Sequence, residues 1–133
     1  VVLSRGLGDV YKRQSHGISV DLIDMQTLIP FDTDNQIISS LKKTNKLIIV
    51  DEDYNGGASA FILKKIIEDQ NGYEFLDSKP KTITSKDHRP PYGSDGDYFS
   101  KPSLDDIFEG IYNVMNEYDP NRYPLNFRSW SQK

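Results

Sequence analysis

The segment Asp24-Met25-Gln26-Thr27-Leu28-Ile29-Pro30-Phe31-Asp32 closes an apolar strand, turns at a proline and opens a helix. Ahead of it, Ile18, Val20 and Leu22 alternate with Ser19 and Asp21, the period of a strand with one buried face. Pro30 fixes φ and has no N–H to donate to a ladder, so the strand must stop before it. Thr33 then stands three residues before Gln36, a capping-box spacing that predicts a helix running to about Lys43.

Downstream the same alternation of element types continues. Lys46-Leu47-Ile48-Ile49-Val50-Asp51 is an aliphatic run between charged ends, as expected of a strand covered on both faces at the centre of a parallel sheet. Gly56-Gly57 permits a sharp turn, after which Ala58, Phe61, Ile62, Lys65 and Ile66 recur at helical spacing and Asn71-Gly72 supplies a stop. Lys81 to Ser85 reads as a short strand. Ser103 precedes Leu104, Ile107, Phe108, Ile111, Tyr112, Met115 and Tyr118 at steps of three and four, a helical stripe that must face a core. Asp105 and Asp106 suit the positive end of that helix, and Asp119-Pro120 closes it.

Three strand–helix pairs predict an α/β fold in three layers, a mainly parallel sheet with helices on both faces and right-handed crossovers. The strand at Ile18 has no helix before it, which leaves one face of such a sheet bare and predicts that a first strand and helix are truncated. Residues 121–133 are polar and interrupted by Pro124, and read as a loosely held tail in which Tyr123, Leu125, Phe127 and Trp130 are the groups able to dock.

Residues 1–14 differ from the rest. They carry Arg5, Lys12 and Arg13 against Asp9 alone, so a net charge of −4 for the chain becomes −6 for residues 15–133. Gly6 and Gly8 complete no phosphate-loop pattern. The stretch resembles a translated library-adapter sequence, so native coding is expected to begin near Ser15, with one domain over residues 15–120.

Composition excludes several classes of function. The acidic balance argues against nucleic acid, which requires clustered Lys and Arg. With no cysteine there is no disulfide, thiolate metal site or thiol nucleophile, in keeping with a cytoplasmic protein. The longest apolar run, Leu47 to Val50, is far below the ~20 residues of a membrane span.

Asp51-Glu52-Asp53 follows the central strand, where open α/β sheets place ligands, and invites a magnesium reading. Consecutive residues of an extended segment point in different directions, however, and a solvated turn is the expected reading of the acids. The Gly56-Gly57 helix start offers N–H groups to an anion, or simply turns tightly. His88, within Asp87-His88-Arg89-Pro90-Pro91-Tyr92-Gly93, lacks a partner arranged for catalysis, since Asp87 cannot readily fold back onto its neighbour's ring. His16 has no assigned role. Tyr92, Tyr98 and Phe99 are costly to expose together, so Tyr92 to Pro102 reads as an ordered loop packing on another domain or subunit, or else on its own core.

Taken together, the Asp24–Asp32 segment, Lys46–Asp51 with Gly56-Gly57-Ala58, and Asp87-His88-Arg89-Pro90 leading to Tyr98-Phe99-Ser100-Lys101-Pro102 resemble the C-terminal, transketolase-type domain of the beta subunit or beta half of thiamine-diphosphate 2-oxoacid dehydrogenases. The resemblance covers about Gly17 to Pro120, and its Gly-Ser-Asp-Gly-Asp-Tyr-Phe-Ser-Lys-Pro segment looks most like the branch with fused alpha and beta regions. It implies oxidative decarboxylation of a 2-oxoacid with acyl transfer to a lipoyl group, thiamine diphosphate and magnesium serving the intact enzyme and neither bound by this chain alone. No catalytic, cofactor-binding or metal residue carries over, because those groups belong to other regions in such enzymes. What carries over is assembly: an α2β2-like arrangement with an alpha region and a second beta copy, and docking of a lipoyl-bearing acyltransferase. His88, Arg89, Pro90 and Tyr92 are the expected interface residues. Gln26 stands where the family usually has arginine, and an amide cannot form arginine's bidentate carboxylate pairing. Two other readings stay open: a transketolase or deoxyxylulose-phosphate synthase relative, and a stand-alone module binding a small anion.

Overall fold

A computed structural model describes residues 2–3, 17–86 and 101–125. Four parallel strands, β1 (Val2–Leu3), β2 (Ile23–Asp24), β3 (Ile48–Val50) and β4 (Lys81–Ile83), lie in the order β2-β1-β3-β4. Helix α1 (Gln36–Thr44) links β2 to β3, and α2 (Ala58–Lys64, continued by a π-helical turn over Lys65–Asp69) leads from β3 towards β4. Helix α3 (Leu104–Tyr118) follows β4.

The run Ile48-Ile49-Val50 forms an inner strand because every residue of it is apolar and both its faces are covered. Ile49 points to one side, into a core with Ile37 and Leu41 of α1 and Ile62 and Ile66 of the second helical segment. Ile48 and Val50 point to the other, where Ile83, Ile111, Val114, Ile18 and Tyr123 pack. Alternation on a single strand thus makes two cores and three layers, as the α/β reading expects. The ladder between β3 and β4 continues at both ends, with Lys81 N–H donating to Leu47 C=O (3.1 Å) and Asp51 N–H to Ile83 C=O (3.0 Å).

Several local expectations are corrected. The strand read over Ile18 to Leu22 is laddered only at Ile23–Asp24, because its neighbour β1 offers two residues to pair with. Ile18 is nevertheless buried, with Val20 and Leu22 packed beside it. The N-cap of α1 is Asn35, and the first N–H groups of the helix are satisfied by Asp32, whose Oδ1 and Oδ2 accept from Gln36 N–H (2.9 Å) and Ile37 N–H (3.1 Å). Thr33 and Gln36 form no capping box, since Gln36 is the first helical residue rather than the third. In α3 the predicted cap holds, Ser103 and Asp106 exchanging hydrogen bonds at 3.2 and 2.8 Å. Its predicted stripe is shifted: Leu104 and Tyr118 are exposed, while Gly110 and Val114 are buried. The stretch after Pro120 is held in its first part, for Tyr123 is buried and its C=O accepts from Asn116 Nδ2 at 2.7 Å.

β1 falls within the segment read as non-native. An inner position flanked by β2 and β3 presents unpaired backbone groups on both sides, and an extended pair of residues satisfies them. Helices α1 and α2 lie on one face of the sheet and α3 on the other. On that face lies a groove of about 390 Å³ lined by Ile18, Val20, Ile48, Ile111, Val114 and Met115.

Candidate functional site

Three consecutive acids follow β3 at the carboxyl edge of the sheet. Asp51 leaves β3 still in the ladder and is buried, 3% exposed. Its Oδ1 accepts from Asp53 N–H at 3.3 Å, which bends the chain into a turn. Asp53 Oδ1 accepts from Tyr54 N–H at 2.8 Å, and Gly57 N–H reaches back to Tyr54 C=O at 3.2 Å, completing the turn into α2. Gly56 is required there by its φ of +96°. Glu52 instead faces outward to Lys101 Nζ, 3.7 Å away.

The three consecutive acids therefore act separately: Asp51 inward, Asp53 into the turn and Glu52 to a lysine of the loop before α3. Among the described residues no group of three or more His, Cys, Asp or Glu is placed to hold a metal ion. Magnesium with a diphosphate needs converging oxygen donors, and these carboxylates diverge, so they do not fit such a cofactor. An anion at the start of α2 meets Asp53, whose Oδ2 stands 3.5 Å from the position a Cβ at Gly57 would take. That negative charge opposes a second one, and tight turning explains the glycines.

Two backbone and side-chain contacts bring the flanks of the 87–100 segment to this edge. Ser85 N–H donates to Asp53 C=O at 3.0 Å on the outgoing side, and Lys101 meets Glu52 on the return. His88, Arg89, Pro90 and Tyr92 themselves, together with His16, lie outside the described residues. Gln26 is exposed. The sequence reading passed over Ile29 and Tyr54, which are 82% and 59% exposed. Each follows the carboxyl end of a strand, β2 or β3, and the signal available was a large apolar or aromatic residue inside a turn that has no core to offer it. The Ile29-Pro30 peptide bond is cis.

Away from this edge, the Asp21 carboxyl is held below the usual carboxylate range by the bond from Lys43 (2.7 Å), with Ser40 Oγ adding a second at 2.8 Å. Among the described residues no helix is long and apolar enough to cross a membrane.

Comparison with known proteins agrees with this architecture. The family described as "Transketolase, C-terminal domain" matches residues 10–102, which take in β2 to β4. Pyruvate dehydrogenase E1 component subunit beta of Rickettsia felis is 32% identical over 102 residues, covering 76% of this chain and 30% of that protein. The mitochondrial subunit beta of Saccharomyces cerevisiae is 28% identical over 105 residues, 78% of this chain and 28% of its own length. That of Dictyostelium discoideum reaches 37% over 79 residues, 59% and 21%. The chain thus spans less than a third of the length of these relatives. The family match covers more than half of the chain, and the chain belongs to the transketolase C-terminal domain family.

Proposed function

We propose that this chain is the assembly and partner-docking domain of a thiamine-diphosphate-dependent 2-oxoacid dehydrogenase, in the component that decarboxylates the 2-oxoacid and passes the acyl group to a lipoyl group. The observation that carries the reading is its similarity, over three quarters of its length, to the beta subunit of pyruvate dehydrogenase E1. That similarity also favours a 2-oxoacid dehydrogenase over a transketolase or deoxyxylulose-phosphate synthase.

The geometry at the sheet's carboxyl edge supports a structural rather than a catalytic part. Asp51 and Asp53 shape the turn into α2, and Glu52 meets Lys101. In the intact enzyme the cofactor would supply the carbanion chemistry from other regions of the protein. This chain would contribute the packing surface, with the exposed Ile29 and Tyr54 and, as the sequence suggests, His88, Arg89, Pro90 and Tyr92. Its partners are the alpha region, a second beta copy and the lipoyl-bearing acyltransferase, in the cytoplasm.

Carbon dioxide release from 2-oxoacids tests the division of labour. The purified chain, given thiamine diphosphate and magnesium, is expected to match the protein-free blank. Saturable, thiamine-dependent release would place catalytic groups in this chain and overturn the reading.

A further inference from the structure

Two Asn-Gly pairs occur in the chain, Asn55-Gly56 and Asn71-Gly72, and the fold treats them differently. A glycine after asparagine leaves its own backbone nitrogen unshielded, since no Cβ stands beside it, and leaves the peptide free to rotate. That nitrogen can attack the asparagine side-chain carbonyl carbon only where the local backbone is able to turn.

Asn71 is held. Its φ of 56° and ψ of 32° place it in the left-handed region, at the start of the short 3-10 turn Gly72–Phe75. Its C=O accepts from Glu74 N–H at 3.3 Å. Gly72 is buried, and a Cβ there would stand 2.7 Å from the Ile66 carbonyl oxygen and 3.1 Å from Leu41 Cδ2, so its backbone is seated against both helical segments. Bringing Gly72 N onto Asn71 Cγ reverses the sign of ψ and lifts Gly72 from that seat, which requires local opening.

Asn55 is free to turn. It lies in a four-residue turn closed by one bond, from Gly57 N–H to Tyr54 C=O at 3.2 Å. Asn55 and Gly56 are both exposed, and a Cβ built at Gly56 meets nothing within 4 Å. Among the described residues no partner holds the Asn55 side chain.

We propose that Asn55 is a site of spontaneous deamidation gated by the fold, which exposes this pair and protects Asn71-Gly72. The deprotonated Gly56 nitrogen attacks Asn55 Cγ and forms a C–N bond. The bond from Cγ to the side-chain nitrogen breaks, and ammonia leaves with the proton taken from Gly56 N–H. Water then adds to either carbonyl of the resulting succinimide, and the ring C–N bond at that carbonyl opens to give aspartate or isoaspartate at position 55. Either product adds a carboxylate to a turn that already carries Glu52 and Asp53. Isoaspartate also lengthens the backbone between Tyr54 and Gly57, which loosens the bond that closes the turn into α2. Only the effect of this change on an interface at Tyr54 rests on the docking reading; the chemistry stands without it.

Peptide mapping by mass spectrometry of the 133-residue chain, aged at neutral to mildly alkaline pH, tests the inference. In the folded chain Asn55 is expected to lose its amide about tenfold or more faster than Asn71, with isoaspartate the more abundant product. In concentrated urea the two rates are expected to converge, because both turns are then free. Asn55→Gln, which could close only a strained and slower six-membered ring, is expected to keep its side-chain amide over the same period. Equal rates at Asn55 and Asn71 in the folded chain overturn the inference, as does an Asn55 that stays intact while the urea-unfolded chain reacts. The readout needs no partner, so a chain that deamidates as expected yet fails to bind an acyltransferase counts against the docking reading alone.

Discussion

Gln70 Nε2 donates to Asp32 Oδ2 at 3.0 Å, joining the end of the second helical segment to the start of the first across 38 positions of sequence. The same carboxylate accepts from Gln36 and Ile37, so one side chain fixes where α1 begins and how the segment after Lys64 lies beside it. Asp32 also has φ +41°, a region in which Asp and Asn are better tolerated than other residues with a Cβ. Asp32→Ala is expected to cost about 1–3 kcal/mol, from lost capping and a less tolerated backbone. Asp32→Asn keeps one acceptor and should cost less. Urea titration of the two variants gives the order.

Gly110 shows a close approach that the helical pattern alone conceals. A Cβ built there collides with Ile83 Cδ1 and stands 3.3 Å from its Cγ1, so α3 and β4 meet through a missing side chain. Gly110→Ala gains about 1 kcal/mol in helix propensity and loses about 1–3 kcal/mol to overpacking. The net expectation is destabilisation in the parent chain. In an Ile83→Val background, which lacks Cδ1, the same substitution should become neutral or stabilising. A double-mutant cycle in thermal denaturation reads the coupling.

Asp21 gives the fold a pH dependence of known sign. Its carboxyl is lowered in the folded chain by Lys43 first and Ser40 second, so its contribution is complete above the ordinary carboxylate pKa of about 3.9 and is lost as pH falls through the lowered value. The pair is partly exposed, which limits it to about 1 kcal/mol or less. Asp21→Asn should therefore be slightly less stable than the parent at pH 7, with the difference closing on acidification below the usual carboxylate range. Denaturation midpoints measured from pH 7 down to pH 2 follow it.

Tyr123 anchors the stretch after α3. Its ring meets Tyr112 edge-on at 6.1 Å, its N–H donates to Asp119 C=O at 3.0 Å, and Tyr112 Oη donates to Pro124 C=O at 2.9 Å. Tyr123→Ala is expected to destabilise by about 3 kcal/mol, as for other buried aromatics. Tyr123→Phe should cost far less, because the ring carries the packing. Chemical denaturation separates the two.

Much of the fold was legible because its signals are local. The unbroken aliphatic run at Leu47–Val50 admits burial on both faces and little else, and Ser103 with Asp106 and the stripe behind them specify α3 and its start. What escaped depends on distance. The Asp32 bond to Gln70 and the seat of Gly110 on Ile83 join residues whose proximity no spacing encodes. Val114 was missed because its neighbours already filled a plausible stripe. At the carboxyl edge the order Asp51-Glu52-Asp53 did foretell that the acids diverge, whereas Lys101 as the partner of Glu52 followed only from the fold.

Binding of the purified chain to an acyltransferase core that carries lipoyl groups is the most direct test of a docking role. Co-sedimentation at rising chain concentration should show saturable binding, weakened by Tyr54→Ala with the fold intact by circular dichroism. A correctly folded chain that stays in the supernatant at every concentration would contradict the account.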